Sequence, residues 1–128
     1  MFVAESEIKV KRSRFLARIY RCSTEAEAYA IMLAVKRELR GASHWVYAYV
    51  LSGVMRSGDN GEPPGTAGLP VLNVLRSAGL SGVVCIVTRW FGGTKLGVAG
   101  LRAAYKASAI AAAEAAIEKL KSENLTDK

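Results

Sequence analysis

One stretch of sequence is decisive for predicting the fold: VVCIVTRWFGGTKLG, which spans Val83–Gly97. Its first half is apolar without alternation, and this predicts a strand over Gly82–Trp90 that is covered on both faces. Gly92 and Gly93 are poor strand residues and good turn residues, so we expect the strand to end before them. Alanine-rich sequence follows, and it predicts a long helix over Leu96–Lys121.

Further elements are predicted upstream of this stretch. The segment HWVYAYVL at His44–Leu51 predicts another strand. Pro70 suits the first turn of a short helix, which Gly79 ends. Between them lies RSGDNGEPPGTAG, which is too rich in glycine and proline for a helix or a regular strand. We therefore predict that Arg56–Gly68 is a loop.

The N-terminal part predicts one strand and one helix. Apolar residues alternate over Ile8–Arg21, but the alternation changes phase near Lys11–Arg14. Because a strand that slips by one residue turns its side chains to the wrong face, we expect a β-bulge at that point. Thr24 and Glu27 then form the T-x-x-E pattern of a capping box, which predicts the start of a helix.

The predicted order of elements is β-α-β-loop-α-β-α, which is typical of a two-layer α/β sandwich with its helices on one face of the sheet. The 128 residues suit one domain, which we place at residues 1–121, with a frayed polar tail at residues 122–128. No apolar run approaches the roughly eighteen residues of a membrane span. An early charged N-terminus argues against a signal peptide, and the remote Cys22 and Cys85 predict no disulfide, so we expect a cytoplasmic protein.

Basic residues are unevenly spread along the chain, whose net charge is +7. Between Ile8 and Cys22 there are six basic residues and no acidic one, and no acid occurs between Pro63 and Ala113. Such segregation favours an anionic partner such as nucleic acid. The alternative is that these cations only solvate the surface, and composition alone leaves both interpretations open.

The glycine-rich loop after the strand at Gly82–Trp90 is the first candidate binding site. Backbone N–H groups at the start of a helix attract anions, and glycines allow a ligand to approach closely. The loop matches neither a Walker A motif nor G-x-G-x-x-G, and its glycines are equally suited to making a tight connection. The candidate anion site consists of Arg89, Gly92, Gly93, Thr94, Lys95 and Gly97.

A second group of candidates comprises His44, Asp59, Glu62 and Thr66. His44 is the only histidine, and Asp59 or Glu62 would orient it as a base if the loop folds back toward it. Alternatively, Asp59 and Glu62 accept backbone N–H bonds within a structural loop, and His44 only begins a strand. One histidine and two remote cysteines do not make a zinc site, and we expect no metal and no cofactor.

Four motifs together resemble the IMPACT/YigZ family: KRSRFLA, ASHWVYAYVL, GEPPGTAGLPVL and VTRWFGGTKLG. The resemblance implies the fold of elongation factor G domain IV and of a ribosomal-protein domain, with a left-handed βαβ crossover. It also implies a non-enzymatic role near translation. This chain departs from the family pattern after Lys95-Leu96-Gly97, where the usual arginine is shifted by one position to Arg102.

Three functions follow from these observations. The first is an RNA or ribosome binder in translation regulation that uses the basic glycine-rich loop. The second is an interaction module for a translation-related protein, which an exposed apolar patch would favour. The third is an anion-binding or phosphate-binding enzyme that uses His44, Glu62, Arg89 and Lys95, which a cleft joining His44 to the Lys95 loop would favour.

Overall fold

The computed structural model describes the backbone of residues 1–126 and the side chains of residues 1–123. Within residues 1–126 the strands are β1 at Phe2–Val10, β2 at Ser13–Arg21, β3 at His44–Leu51, β4 at Val54–Gly58 and β5 at Val83–Trp90. These five strands form one sheet in the order β1-β2-β5-β3-β4, and all neighbouring strands are antiparallel. The mixed α/β class is therefore confirmed. The helices are α1 at Glu25–Glu38, α2 at Gly68–Ser77 and α3 at Gly97–Thr126.

Helices cover both faces of this sheet. Val83, Cys85 and Val87 of β5 point into a core shared with α2 and α3, whereas Val84 and Ile86 point into a smaller core beneath α1. The prediction that all helices lie on one face is therefore wrong for α1. The prediction that β5 is covered on both faces is confirmed.

The N-terminal strand prediction is also wrong, because Ile8–Arg21 is not one bulged strand. It contains a hairpin whose two-residue turn is Lys11-Arg12, and Val10 pairs with Ser13 across that turn. Even-numbered residues of β1 thus face odd-numbered residues of β2, which produces the phase change seen in the sequence. The irregularity in this strand pair lies instead between Phe2 and Ala4.

The short strand β4 is the other element that the sequence analysis did not predict. It overlaps the start of the predicted loop, and its pairs with β3 run from Leu51–Val54 to Tyr47–Gly58. The capping box of α1 is confirmed, with Thr24 Oγ1 accepting from Glu27 N–H at 3.1 Å. Gly79 ends α2 with a positive φ of 70°, as predicted.

Further predictions concern the crossover between β2 and β3 and the C-terminal end of the chain. Strands β2 and β3 run parallel with β5 between them, and α1 connects them. The left-handedness of this βαβ crossover stays a prediction. The single domain at residues 1–121 also stays a prediction. Helix α3 continues to Thr126, beyond its predicted end at Lys121. Residues 127 and 128 of the predicted tail lie outside the described residues. Within residues 1–126, no helix is long and apolar enough to cross a membrane.

Candidate functional site

The candidate residues come together at the end of the sheet where β5 finishes. His44, the first residue of β3, pairs with Arg89 in register, and Arg14 of β2 pairs with Trp90 on the other side. Antiparallel pairing therefore brings the start of β3 and the β1–β2 turn to the place where the glycine-rich loop begins. The loop between β4 and α2 and the first turns of α3 complete this end of the molecule.

A buried ion pair lies at the centre of this end. The Arg89 Nη1 atom lies 2.8 Å from Glu62 Oε2 and 3.1 Å from Glu62 Oε1, and both side chains are almost fully buried. The Tyr105 hydroxyl of α3 donates to the same carboxylate, and Ser13 Oγ lies 3.2 Å from Arg89 Nη2. Burial, and then the Glu62 hydrogen bond, raise the pKa of Tyr105 well above its ordinary value. Its phenol therefore stays neutral and remains a donor.

The ion pair changes the role predicted for Arg89. No acid lies between Pro63 and Ala113, but Glu62 immediately precedes that range and folds back onto Arg89. The guanidinium is buried, and Glu62 neutralises it inside the protein. Of the two cations in the predicted anion site, Lys95 alone is exposed.

His44 lies beside this ion pair, because the loop that carries Glu62 folds back toward the start of β3. Its Nδ1 lies 2.9 Å from the Asn60 carbonyl oxygen, and its Nε2 lies 3.5 Å from Glu62 Oε1. Because a carbonyl only accepts, Nδ1 carries the hydrogen, and Nε2 faces the carboxylate. The two groups form the floor of a cleft of about 440 Å³ that Lys95, Leu96 and Gly97 also line. A cleft that joins His44 to the Lys95 loop therefore exists.

Asp59 and Thr66 hold the loop that carries Glu62. Asp59 accepts hydrogen bonds from the backbone N–H groups of Gly65, Ala67 and Gly68, at 2.8–3.1 Å. Burial opposes ionisation, but these bonds outweigh it and lower the pKa of Asp59. The buried Thr66 hydroxyl donates to the Pro63 carbonyl at 2.6 Å. Both residues support the loop through backbone contacts. For Asp59 this is the predicted alternative of a carboxylate that accepts backbone N–H bonds, whereas Glu62 pairs with Arg89 instead.

The glycines of the loop have distinct roles. Gly92 packs on the β1–β2 turn so closely that a Cβ atom there would overlap the Arg12 backbone. Its N–H group lies 3.3 Å from Ser13 Oγ. Gly93 and Gly97 have positive φ angles of 90° and 74°, which disfavour other residues. Thr94 is exposed, as is Lys95, just before the start of α3.

Four residues of this site were not predicted from the sequence: Lys11, Arg12, Ser13 and Tyr105. Lys11 and Arg12 have φ angles of 45° and 72°, and they place two exposed cations against the glycine-rich loop. The phase change in the alternation was the signal for a two-residue turn. The sequence carried no signal for Ser13 or Tyr105, because both reach Arg89 or Glu62 only through tertiary contacts.

The cysteines and the potential metal ligands are further candidate reactive groups among the described residues. Cys22 and Cys85 are both buried and unbridged, and burial raises the pKa of Cys85 to about 12, so its thiol is inert near neutral pH. Among the described residues, no three His, Cys, Asp or Glu side chains lie close enough together to hold a metal ion. Within the described part of the chain, no serine, threonine or cysteine lines the cleft.

Fold and site together define a mixed α/β domain that has a buried carboxylate–guanidinium pair beneath a cationic, glycine-rich end. The protein-family model of the Impact N-terminal domain matches residues 11–113 of this chain. The chain therefore belongs to the IMPACT family. It is 42% identical over 104 residues to the IMPACT family member YvyE of Bacillus subtilis. It is 34% identical over 102 residues to the IMPACT family member YigZ of Escherichia coli.

The chain spans about half the length of these relatives. The matches cover 79% of this chain and 48% of YvyE, and 76% of this chain and 50% of YigZ. Solved structures agree on the fold. The crystal structure of a hypothetical protein superposes with a TM-score of 0.82 at 31% identity, covering 85% of this chain and 55% of that one. The two-domain translational regulator Yih1 superposes with a TM-score of 0.52 at 20% identity, over 86% of this chain and 46% of Yih1.

Proposed function

We propose that this chain is a non-enzymatic binding domain of the cytoplasm that acts in translation regulation and contacts RNA, free or on the ribosome. The contact surface, which we call the basic end, consists of Lys11, Arg12, Phe91, Gly92 and Lys95. Membership of the IMPACT family and the fold shared with the translational regulator Yih1 support a role in translation. The RNA contact rests on the basic end itself.

The observation that carries the proposal is the conformation of the β1–β2 turn. Two-residue hairpin turns with positive φ at both positions strongly prefer Asn-Gly or Asp-Gly. Here the positions are held by Lys11 and Arg12, although left-handed backbone costs an ordinary residue about 1–2 kcal/mol. Neither cation forms an ion pair with any described residue. Two unpaired charges in a strained turn are expected where charge matters more than turn stability.

The neighbouring loop adds the other features of a single-strand RNA site. Phe91 is 50% exposed, and Arg89 Cζ lies 5.5 Å from the centroid of its ring. An exposed aromatic ring offers a stacking surface for a base. Lys95 is exposed a few residues further on. Gly92 presses directly on the Arg12 backbone, so the turn and the loop form one continuous surface. Arg89 contributes indirectly, because its ion pair with Glu62 fixes the neighbouring loop.

The test replaces the turn by the residues that its geometry prefers. We expect Lys11→Asn/Arg12→Gly to raise the free energy of unfolding by about 1–2 kcal/mol, since it relieves the left-handed backbone. The same variant should bind RNA more weakly, and the slope of log K against log salt should fall by about 1.4 for two lost phosphate contacts. The measurements are urea unfolding and fluorescence anisotropy with a single-stranded RNA of about 16 nucleotides.

Arg37→Gln/Arg40→Gln is the matched control, because it removes two exposed charges at the end of α1 and beyond it. This control should leave the affinity close to that of the unmodified protein. Equal weakening by both variants would mean that only net charge matters. An unmodified protein that binds no RNA at low salt would remove the RNA proposal altogether.

A second candidate function rests on the cleft above His44 and Glu62. Lys95 at its rim and the first N–H groups of α3 suit a small phosphate-bearing ligand. Titration with inorganic phosphate, followed by amide NMR shifts, tests this candidate. Saturable shifts confined to Lys95–Val98 that disappear in Lys95→Ala would support it. Absence of saturable shifts would leave the RNA proposal as the single function of this end.

A further inference from the structure

A second surface feature lies away from the basic end, in the angle between α2 and α3. A groove of about 590 Å³ runs between these helices and is lined largely by apolar side chains. Val74 and Ala78 form one wall, and Ala103, Ile110 and Ile117 form the other. Ile110 is 39% exposed although it is a large aliphatic residue. The groove shares no lining residue with the cleft above Glu62.

Charge along the groove is uneven. Arg102 and Lys106 line it on the first part of α3, and Glu114 lines it further along the same helix. Both cations are exposed, and neither forms an ion pair with any described residue. The groove therefore combines apolar walls with unpaired positive charge at the end near Arg102 and Lys106, and with one carboxylate, Glu114, further along.

We propose that this groove docks an amphipathic helix of a partner protein, with acidic residues flanking the apolar face of that helix. The lining residues of α3 run from Arg102 to Ile117, a length of about 22 Å at 1.5 Å per residue. A partner helix of roughly four turns fits this length and presents anchors at i, i+4 and i+7. Small side chains such as Ala78 and Ala103 allow its backbone to approach closely.

Charge complementarity selects this occupant over two others. A second copy of this chain is disfavoured, because each copy carries a net charge of +7 and the same cations on this groove. RNA is disfavoured because its backbone gains nothing from apolar walls. An acidic amphipathic helix satisfies both parts of the groove, since its apolar face covers Ile110 and its carboxylates face Arg102 and Lys106.

The probe is a synthetic helical peptide of about four turns, with leucines on one face and glutamates along both flanks. We expect saturable binding by anisotropy, with amide NMR shifts that map to α2 and to α3 between Arg102 and Ile117. Ile110→Glu, which puts a charge on an apolar wall of the groove, and Arg102→Glu/Lys106→Glu should each weaken binding about tenfold or more.

Matched controls keep the test specific. Leu33→Glu places the same charge on an exposed leucine of α1, and Lys119→Glu/Lys121→Glu reverses two exposed charges on α3 outside the groove. Both controls should bind the peptide as the unmodified protein does, and circular dichroism checks that every variant is folded. The proposal is overturned if a peptide with lysines in place of the glutamates binds equally well. It is also overturned if Ile110→Glu has no effect, or if the shifts map outside the groove.

Discussion

Glu62 is a carboxylate in the interior. Its charge is balanced by Arg89, and it accepts a hydrogen bond from the neutral Tyr105 hydroxyl. A charge that is removed from water in this way is tolerated only while its partners remain. The same residue also lies 3.5 Å from His44 Nε2. One side chain thus joins the loop between β4 and α2 to β3, β5 and α3.

Removing the Glu62 charge should strongly destabilise the fold. We expect Glu62→Gln to lower the free energy of unfolding by about 3–5 kcal/mol, because Arg89 is left buried without a counter-charge. The double variant Glu62→Leu/Arg89→Met should lose less than this single variant, since it leaves no orphaned charge. Glu7→Gln, which breaks the exposed pair with Arg14, should have almost no effect. Urea unfolding measures all three, and similar losses for Glu62→Gln and Glu7→Gln would contradict the prediction.

Asp59 makes the stability of the loop depend on pH. Its pKa is lowered in the folded protein, because three backbone N–H bonds outweigh the effect of burial. Its contribution to stability is therefore fully present above the ordinary value of 3.8 and is lost as the pH falls through the lower, folded value. We expect Asp59→Asn to cost about 1–2 kcal/mol at neutral pH, as the loss of a helix cap does.

Urea unfolding over a series of pH values between about 6 and 3 separates the contribution of Asp59 from that of other carboxylates. The difference in stability between the unmodified protein and Asp59→Asn should be constant at the upper end. This difference in the free energy of unfolding should become smaller only as the pH falls below about 4. A difference that is independent of pH throughout would show that the bonds from Gly65, Ala67 and Gly68 do not depend on the charge.

Among the elements, the β1–β2 turn and the loop after β5 depend on each other through Gly92. We expect Gly92→Ala to lower the free energy of unfolding by about 1–3 kcal/mol, because the new methyl group overlaps the Arg12 backbone. It should also weaken RNA binding, since the turn has to move. Gly93→Ala is the matched control: it has open space around it but a φ of 90°, so it should cost about 1 kcal/mol and leave the turn in place. Equal loss of RNA binding in both variants would contradict the role given to Gly92.

Elements with local signals were predicted well, and elements without them were not. The capping box at Thr24, the strand His44–Leu51 and the helix end at Gly79 each depend on a few neighbouring residues. The hairpin was missed because Lys11-Arg12 carries no turn residue, and its conformation is stabilised by the packing of Gly92. Strand β4 was missed because pairing with β3 overrides its local composition.

The candidate site was likewise predicted only in part. The sequence singled out His44, Glu62, Arg89 and Lys95, and these residues do line one cleft. It did not show that Glu62 neutralises Arg89, because the two lie 27 residues apart and meet only when the loop folds over the end of β5. Charge counted along a chain therefore overestimates the charge that a surface presents, and tertiary pairing has to be known first.

At the scale of the whole molecule, the sheet separates two cores of unequal size. The core beneath α2 and α3 is large and includes most of the buried alanines of α3. The core beneath α1 is small, and Ala28 and Val35 are the residues of this helix that it buries. The sequence could not assign α1 to this face, because its buried stripe is too narrow to indicate a side. Aromatic residues of β3, such as Trp45 and Tyr49, fill the remaining space.

The cluster around Glu62 also has a consequence for the time course of folding. Ser13 and Arg89 are separated by 76 positions along the chain, and Glu62 and Tyr105 by 43. Contacts of such long range form after much of the loop-closure entropy has been lost, so this cluster should assemble after the transition state. Glu62→Gln should then speed unfolding about a hundredfold or more and leave the refolding rate nearly unchanged, which stopped-flow chevron plots measure. A slower refolding limb would contradict this order of events. We therefore expect the buried ion pair to determine how long the native state lasts once it has formed, with little influence on how quickly the chain reaches it.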